Sequence, residues 1–199
     1  MNVEKIARQT EIGGAFWLET VGSTNDWAKA WIRAADASTS TPFWVGAERQ
    51  TAGRGRGDHV WAVWEGALAF SLIVRWRDLE LTRRESAELS LRVADAVAST
   101  AREFAPRVDI SVKPPNDVYA SERKLAGILI ESPNAEFVVV GVGVNVGNRS
   151  SNAPEELRER VVSLAELAEE GAGSAFDVDA VREAVAIRVV RRILGRDVV

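Results

Sequence analysis

The chain has no cysteine, which removes thiol nucleophiles, zinc–thiolate sites and disulfides together. Histidine is nearly absent as well. The single one, His59, sits in a glycine-rich stretch and reads as a loop residue rather than a catalyst. Lysine is scarce, four residues against twenty-one arginines, a skew that a base-composition bias in the genome would also produce. No apolar run approaches the ~20 residues needed to span a bilayer. The opening Met1-Asn2-Val3-Glu4-Lys5 shows no basic stretch followed by an apolar run, so no secretory signal is visible. Positive charge is not in excess: the net charge is -4 and the pI about 5.3, which argues against a generic nucleic-acid binder. The expectation is a cytoplasmic protein without membrane or DNA contacts.

What is present fits one globular unit. The 199 residues are 46% hydrophobic and 27% charged, enough for one sizeable core with little left for a second, so residues 1–199 are expected to form a single domain. Phe16 to Glu19 reads as a short strand, and Ser23-Thr24-Asn25-Asp26 offers helix N-caps ahead of an apolar face made by Trp27, Ala28, Trp31 and Ile32. Phe43 to Glu48 and Ala67 to Trp76 read as strands, the second continuously apolar and therefore buried. Thr82-Arg83-Arg84-Glu85 fits a capping box, opening a helix faced by Val93, Ala94, Val97, Ala98, Ala101 and Phe104. Val108 to Val112, Leu125 to Glu131 and Phe137 to Val146 are further strands. Ser163 to Glu166 is a second capping box; Asp177 caps a last helix through Arg192, which Gly195 ends. This order predicts an α+β fold, a mixed β-sheet with helices packed mainly on one face.

Four segments are costly or odd for scaffolding alone. Gln50-Thr51-Ala52-Gly53-Arg54-Gly55-Arg56-Gly57 is a poor helix and a poor strand, but makes a pliable loop with exposed N–H groups and two permanent cations. It lacks the Gly-Lys-Ser/Thr ending of a P-loop, and on composition alone a solvated basic loop is slightly the better reading. In Lys113-Pro114-Pro115-Asn116-Asp117-Val118-Tyr119 the prolines hold Asn116 and Asp117 at a rigid spot, where a carboxylate can orient an amine, bind magnesium or accept a proton; a plain Asn-Asp turn is the bland alternative. Lys124 opens an apolar run through Glu131, where its stem can pack while its ammonium reaches a neighbouring site. Gly141-Val142-Gly143-Val144-Asn145-Val146 lets a ligand or another backbone approach closely, and Asn145, if buried, needs partners.

Taken together and in this order, the segments resemble the catalytic domain of biotin–protein ligases. The resemblance rests on Ser23-Thr24-Asn25, on Gln50 to Arg56 with Trp61 following, on Lys113 to Asp117, on Lys124 to Leu129, and on Gly141 to Val146. It is strongest over residues 16–170. It implies a fold of the class II synthetase-like, biotin–lipoate ligase type. It also implies an ATP-dependent biotin–[acetyl-CoA-carboxylase] ligase, which makes biotinyl-5′-AMP with magnesium present and passes the biotin to a lysine of a biotin carboxyl carrier protein. By resemblance Ser23, Thr24, Asn25, Gln50, Gly53, Trp61, Lys124 and Gly127 contact biotin, and Arg54, Arg56, Asn116, Lys124 and Asn145 contact the nucleotide. Arg54, Arg56, Lys124 and Asp117 are the candidate catalytic residues, with no metal held by protein ligands alone. Relatives pair through sheet edges, so a homodimer is also implied.

Three departures bear on activity. Pro114 stands where the family has Trp; Asp58 and His59 follow the Gly–Arg loop where relatives have small or basic residues; and the small C-terminal β domain of most relatives, like the N-terminal winged helix of some, is expected to be missing. These departures keep open a biotin or biotinyl-adenylate binding protein with impaired transfer. A lipoyl- or octanoyl-transferring relative is a third reading, against which stands the absence of an Arg-Arg-x-Ser-Gly-Gly-Gly segment.

Overall fold

A computed structural model describes residues 1–34, 41–62, 64–79, 81–171 and 176–196. Its centre is one seven-stranded sheet in the order β1-β2-β3-β7-β6-β5-β4. The strands are β1 (Gly14–Val21), β2 (Phe43–Gln50), β3 (Leu68–Arg75), β4 (Ile110–Lys113), β5 (Asp117–Ala120), β6 (Arg123–Glu131) and β7 (Phe137–Val144). Only β1 and β2 run parallel, joined through helix α2 (Thr24–Ala34); every other neighbouring pair is antiparallel. The expected α+β mixed sheet is the fold observed.

The two faces are covered unequally. Side chains alternate across a strand, and on β3 and β7 the set Leu68, Phe70, Leu72, Val74, Val138, Val140, Val142 and Val144 enters the main core. That core is closed by α3 (Ser86–Phe104), with Leu89, Val93 and Val97, and by α5 (Val178–Ile193), with Val185 and Val189. Helix α4 (Leu164–Gly171) adds Leu164 and Leu167 to the same side. On the opposite face the packed helix, among the described residues, is α2: Ala28 and Ile32 pack on Phe43, Val45, Ile73, Phe137 and Val139. Both faces of β3 and β7 are therefore covered along part of their length, which is why these strands read as unbroken apolar runs. Where α2 stops, the odd-numbered side of β7 carries Gly141 and Gly143 instead of branched residues, and this bare part of the sheet becomes the floor of the site.

Both capping boxes form. Thr82 N–H donates to Glu85 Oε2 at 2.8 Å, capping a short 3-10 turn that leads into α3. Ser163 N–H donates to Glu166 Oε2 at 2.9 Å, and Ser150 donates to Glu166 Oε1 through both its N–H (2.9 Å) and its hydroxyl (2.6 Å). Asp177 caps α5, and Gly195 follows that helix at a φ of 64°. Two elements go beyond the sequence expectation. An N-terminal helix α1 (Val3–Thr10), capped by Asn2, docks on α5 through Lys5 and Glu183 at 2.8 Å. The Asn-Asp segment is not only a turn, because Asp117 begins strand β5.

Candidate active site

Because β1 and β2 lie parallel with Val21 opposite Gln50, the chain leaving β1 turns into α2 beside the end of β2. Gln50 reaches across, and its Oε1 accepts from Thr24 N–H at 2.7 Å and from the Thr24 hydroxyl at 3.1 Å. A neighbouring strand thus supplies the cap that a helix start needs. Asn25 turns the other way: Nδ2 donates to Glu131 Oε2 at 2.8 Å and to Leu129 C=O at 3.4 Å, while Oδ1 faces the Ser71 hydroxyl at 2.6 Å. Gly141 makes room for it, since a Cβ there would stand 2.3 Å from Asn25 Oδ1. Ser23 is buried and faces the cavity; its C=O accepts from Trp27 N–H at 3.0 Å, while its hydroxyl has no hydrogen-bond partner among the described residues.

The Gly–Arg segment is a small hairpin rather than a free loop. Trp61 N–H donates to Gly53 C=O at 3.0 Å, Arg54 and Val60 form an antiparallel bridge, and Gly55 N–H donates to His59 C=O at 2.8 Å. Gly57 makes the turn at a φ of 59°, where a side chain would be strained. Gly53 is required by close approach, a Cβ there lying 2.2 Å from the Trp61 carbonyl oxygen. The two arginines then differ. Arg54 is committed to carboxylates, Asp26 at 2.7 Å and Glu131 at 3.0 Å. Its hydrogen bond to Asp26 raises its pKa further. Burial pushes Asp26 upward, but hydrogen bonds from Lys29 and Arg54 more than reverse this and hold its carboxyl below the usual range. Arg56, at the hairpin tip, is exposed and faces the cavity without a carboxylate partner among the described residues.

Trp61 follows the hairpin and lies on two glycines that are partners across β6 and β7, Gly127 and Gly143. A Cβ on Gly143 would meet the indole at 2.3 Å, and one on Gly127 at 3.2 Å. A bulge in β6 then decides where Lys124 points. Asp117 pairs with Gly127 and Val118 with Ala126, but Tyr119 pairs with Lys124, so Leu125 is the extra residue. An extra residue reverses the side-chain alternation, which puts Lys124 on the same face as Gly127 and Asp117. Lys124 Nζ lies 2.8 Å from Asp117 Oδ1 and 5.7 Å from the Trp61 ring centre. The contact is an ion pair, and the buried Oδ1 has no hydrogen-bond donor among the described residues. Asn116 and Asn145 brace the same place through backbone: Asn116 Nδ2 donates to Ile128 C=O at 3.0 Å, and Asn145 Nδ2 to Lys124 C=O at 3.3 Å.

These pieces enclose one open cavity of about 740 Å³, large enough for a drug-sized ligand. Every expected site residue except Gly53 lines it; Gly53 is buried at the hairpin root beside Gln50. Three contributors were not among the expected site residues. Arg160 lines the cavity because Lys124 N–H donates to its carbonyl at 2.7 Å, seating residues 160–162 alongside the start of β6. Its guanidinium has no partner among the described residues. Glu131 gathers Arg54, Lys29 and Asn25. Ser71, a lone hydroxyl in an apolar strand, stands behind Thr24 and Asn25. Among the described residues no group of three or more His, Asp or Glu side chains could hold a metal ion.

The sequence pattern of the biotin/lipoate A/B protein ligase family matches residues 17–145. The chain belongs to that family. Within it, the chain is 39% identical over 173 residues to the biotin–[acetyl-CoA-carboxylase] ligase of Mycobacterium tuberculosis, covering 82% of this chain and 62% of that one. It is 37% identical over 131 residues to the bifunctional ligase/repressor BirA of Bacillus subtilis, covering 63% of this chain and 39% of BirA. It thus spans well under half the length of that repressor-type ligase. A biotin protein ligase from Aquifex aeolicus, solved in complex with biotin and ATP, superposes with a TM-score of 0.73 at 32% identity, over 92% of this chain and 70% of that one. A structure described as a putative lipoate protein ligase from T. acidophilum, with lipoic acid bound, shares the fold at a TM-score of 0.64 and 15% identity. This family member brings residues from all five motifs together at one cavity. Its helices, among the described residues, include none long and apolar enough to cross a membrane.

Proposed function

We propose that the chain is an ATP-dependent biotin–[acetyl-CoA-carboxylase] ligase: it joins the carboxylate of biotin to the α-phosphate of ATP, releasing pyrophosphate, and passes the acyl group of biotinyl-5′-AMP to a lysine of a biotin carboxyl carrier protein, forming an amide and releasing AMP. The observation that carries this reading is the meeting of Lys124, Asp117 and the glycine-floored slot under Trp61 in one cavity with the polar pocket of Ser23, Thr24 and Gln50. A cyclic urea head needs matched donors and acceptors at a closed end, an aliphatic acyl stem needs an apolar wall, and the carboxylate must meet a phosphate under fixed cations. Residues of each kind line this cavity, which supports the reading.

Two anions brought to ~4 Å repel by about 4 kcal/mol at an effective dielectric of 20, so the first step depends on cations already in place. Lys124 sits at the end of the Trp61 slot, where the biotin carboxylate emerges. Arg56 and Arg160 line the same cavity, neither with a carboxylate partner among the described residues. Arg54 anchors the hairpin root, since a phosphate would have to displace two carboxylates to claim it. Asn145 holds the Lys124 backbone, and Asn116 fixes the strand opposite Asp117. Magnesium would be held by phosphate oxygens and water, offsetting the charge of the leaving pyrophosphate.

In the second step the incoming lysine must lose its proton. A free lysine has a pKa near ~10.4 and is almost wholly protonated at neutral pH. Asp117 is placed to receive it: once the anionic adenylate draws Lys124 toward itself, the carboxylate is free to orient the incoming ammonium and take its proton. Incubating the chain with biotin, ATP, magnesium and a carrier domain, followed by mass measurement of the carrier, tests this reading. Carrier gaining one biotin supports it. Adenylate formed without carrier labelling leaves a biotinyl-adenylate binding protein, and labelling with lipoate or octanoate in place of biotin moves the chain to the other branch of the family.

A further inference from the structure

Ser71 lies in the middle of β3, fully buried, and points not into the helical core but toward the start of α2. Its ladder partner is Gly141, whose missing side chain leaves the space that Asn25 fills. A count of protons around Ser71 has one solution. The Asn25 amide is fixed by two acceptors on Nδ2, Glu131 Oε2 and Leu129 C=O, so the atom 2.6 Å from the Ser71 hydroxyl is Oδ1, which only accepts. The Ser71 proton therefore goes to Asn25. Gln50 is fixed in the same way, its Oε1 taking Thr24 N–H at 2.7 Å. Ser71 Oγ also lies 2.8 Å from Thr24 Oγ1, and with its proton committed it can only accept there. The Thr24 hydroxyl proton is then divided between Ser71 Oγ and Gln50 Oε1, and no donor of the described chain is left for Thr24 Oγ1 itself.

We propose that Ser71 is a positioning residue for ligand recognition, which turns the Thr24 hydroxyl proton inward and leaves the Thr24 oxygen as an acceptor for a ligand N–H. This rests on the proposed function, in which that N–H belongs to the cyclic urea of biotin. The same line of polar contacts continues from Asn25 to Glu131 and from there to Arg54, so the head pocket and the root of the Gly–Arg hairpin are connected through one set of partly buried contacts.

The test compares wild type with Ser71→Ala and with Ser71→Cys, which is somewhat larger and donates weakly. Calorimetric titration with biotin should show Kd rising about tenfold in Ser71→Ala, equal to 1.4 kcal/mol, with Ser71→Cys in between. KM for ATP and kcat for adenylate formation should stay within about twofold in the correctly folded enzyme, a split that general destabilisation would not produce. Biotin methylated on a urea nitrogen supplies the cross-check: its penalty relative to biotin should be smaller in Ser71→Ala than in wild type. Unchanged biotin Kd in Ser71→Ala, or equal methyl penalties in both proteins, overturns the role given to Ser71. Should wild type itself not bind biotin, the functional reading falls and Ser71 is judged in the ligand-free protein. Faster amide hydrogen exchange at Thr24 and Asn25 in Ser71→Ala then supports the positioning role, and unchanged protection refutes it.

Discussion

Gly143→Ala puts one methyl group where the account has least room for it. A Cβ at this position would lie 2.3, 2.5 and 2.7 Å from three atoms of the Trp61 indole. Carbon atoms settle at about 3.5–4.0 Å, so the ring must withdraw by more than ~1 Å. It cannot tilt freely toward β6, because Gly127 already lies close under its other edge. Overpacking of this kind costs about 1–3 kcal/mol. Replacing glycine within a strand returns about 0.5–1 kcal/mol, so stability should fall by less than ~2.5 kcal/mol and the protein should still fold. Function should suffer more. Trp61 forms the slot wall and lies against Lys124, and a displacement of ~1 Å at a reacting group can cost ~10²-fold. The assay is biotin-dependent ATP–pyrophosphate exchange, with Gly22→Ala as the control, since nothing lies within 4 Å of a Cβ at Gly22. Gly143→Ala should lose about a hundredfold in kcat/KM, and most of that loss should disappear when measured on a Trp61→Ala background, because the two changes act through one contact. Exchange within threefold of wild type in Gly143→Ala would refute the slot.

Other consequences are as direct. Arg56→Ala should slow adenylate formation at least tenfold with Tm unchanged, whereas Arg54→Ala should lower Tm and loosen the hairpin, seen as faster amide exchange at Gly55 and Trp61. Lys124→Ala should abolish adenylate formation in a folded protein; Asp117→Asn should keep adenylate formation while slowing carrier labelling by ~10²-fold or more, as loss of a general base does. Burial raises the pKa of Glu166, but hydrogen bonds from Ser150 and Ser163 outweigh it and set the folded value below the usual one. A carboxylate depressed on folding contributes stability above its unfolded pKa and loses it as pH falls through the folded pKa. The Tm advantage of wild type over Glu166→Gln should therefore be full at pH 7, shrink below about pH 4.3, and vanish once Glu166 is protonated in the folded state; an advantage independent of pH would contradict the assignment.

Much of this arrangement was legible from residue order. Unbroken apolar runs located β3 and β7, helical apolar spacing located α3, and the Asp177 cap with Gly195 located α5; the two capping boxes formed as expected because both partners of each lie within one turn. Helix α1 was missed although Val3, Ile6 and Ala7 keep helical spacing; with eight residues and little burial it depends on docking to α5. The site residues were legible where glycine, proline or a lone charge interrupted an apolar run. Residues acting through distant partners were not. Arg160 reaches the cavity only because a later segment joins β6, and the different fates of Arg54 and Arg56 depend on Asp26 and Glu131, far apart in sequence. The bulge at Leu125 that aims Lys124 leaves no trace in composition. Ser71 did leave one, a single hydroxyl inside a continuously buried strand, which is costly unless it is hydrogen-bonded.

Soaking or co-crystallising the protein with a non-hydrolysable biotinyl-adenylate tests the central claim most directly. The account requires the urea at Thr24 and Gln50, the acyl stem against Trp61, and the acyl-phosphate mimic within ~3 Å of Lys124 Nζ, an ordinary charged hydrogen bond. A ligand lodged elsewhere, or one lying in the cavity with Lys124 still paired to Asp117 and out of reach, would contradict it.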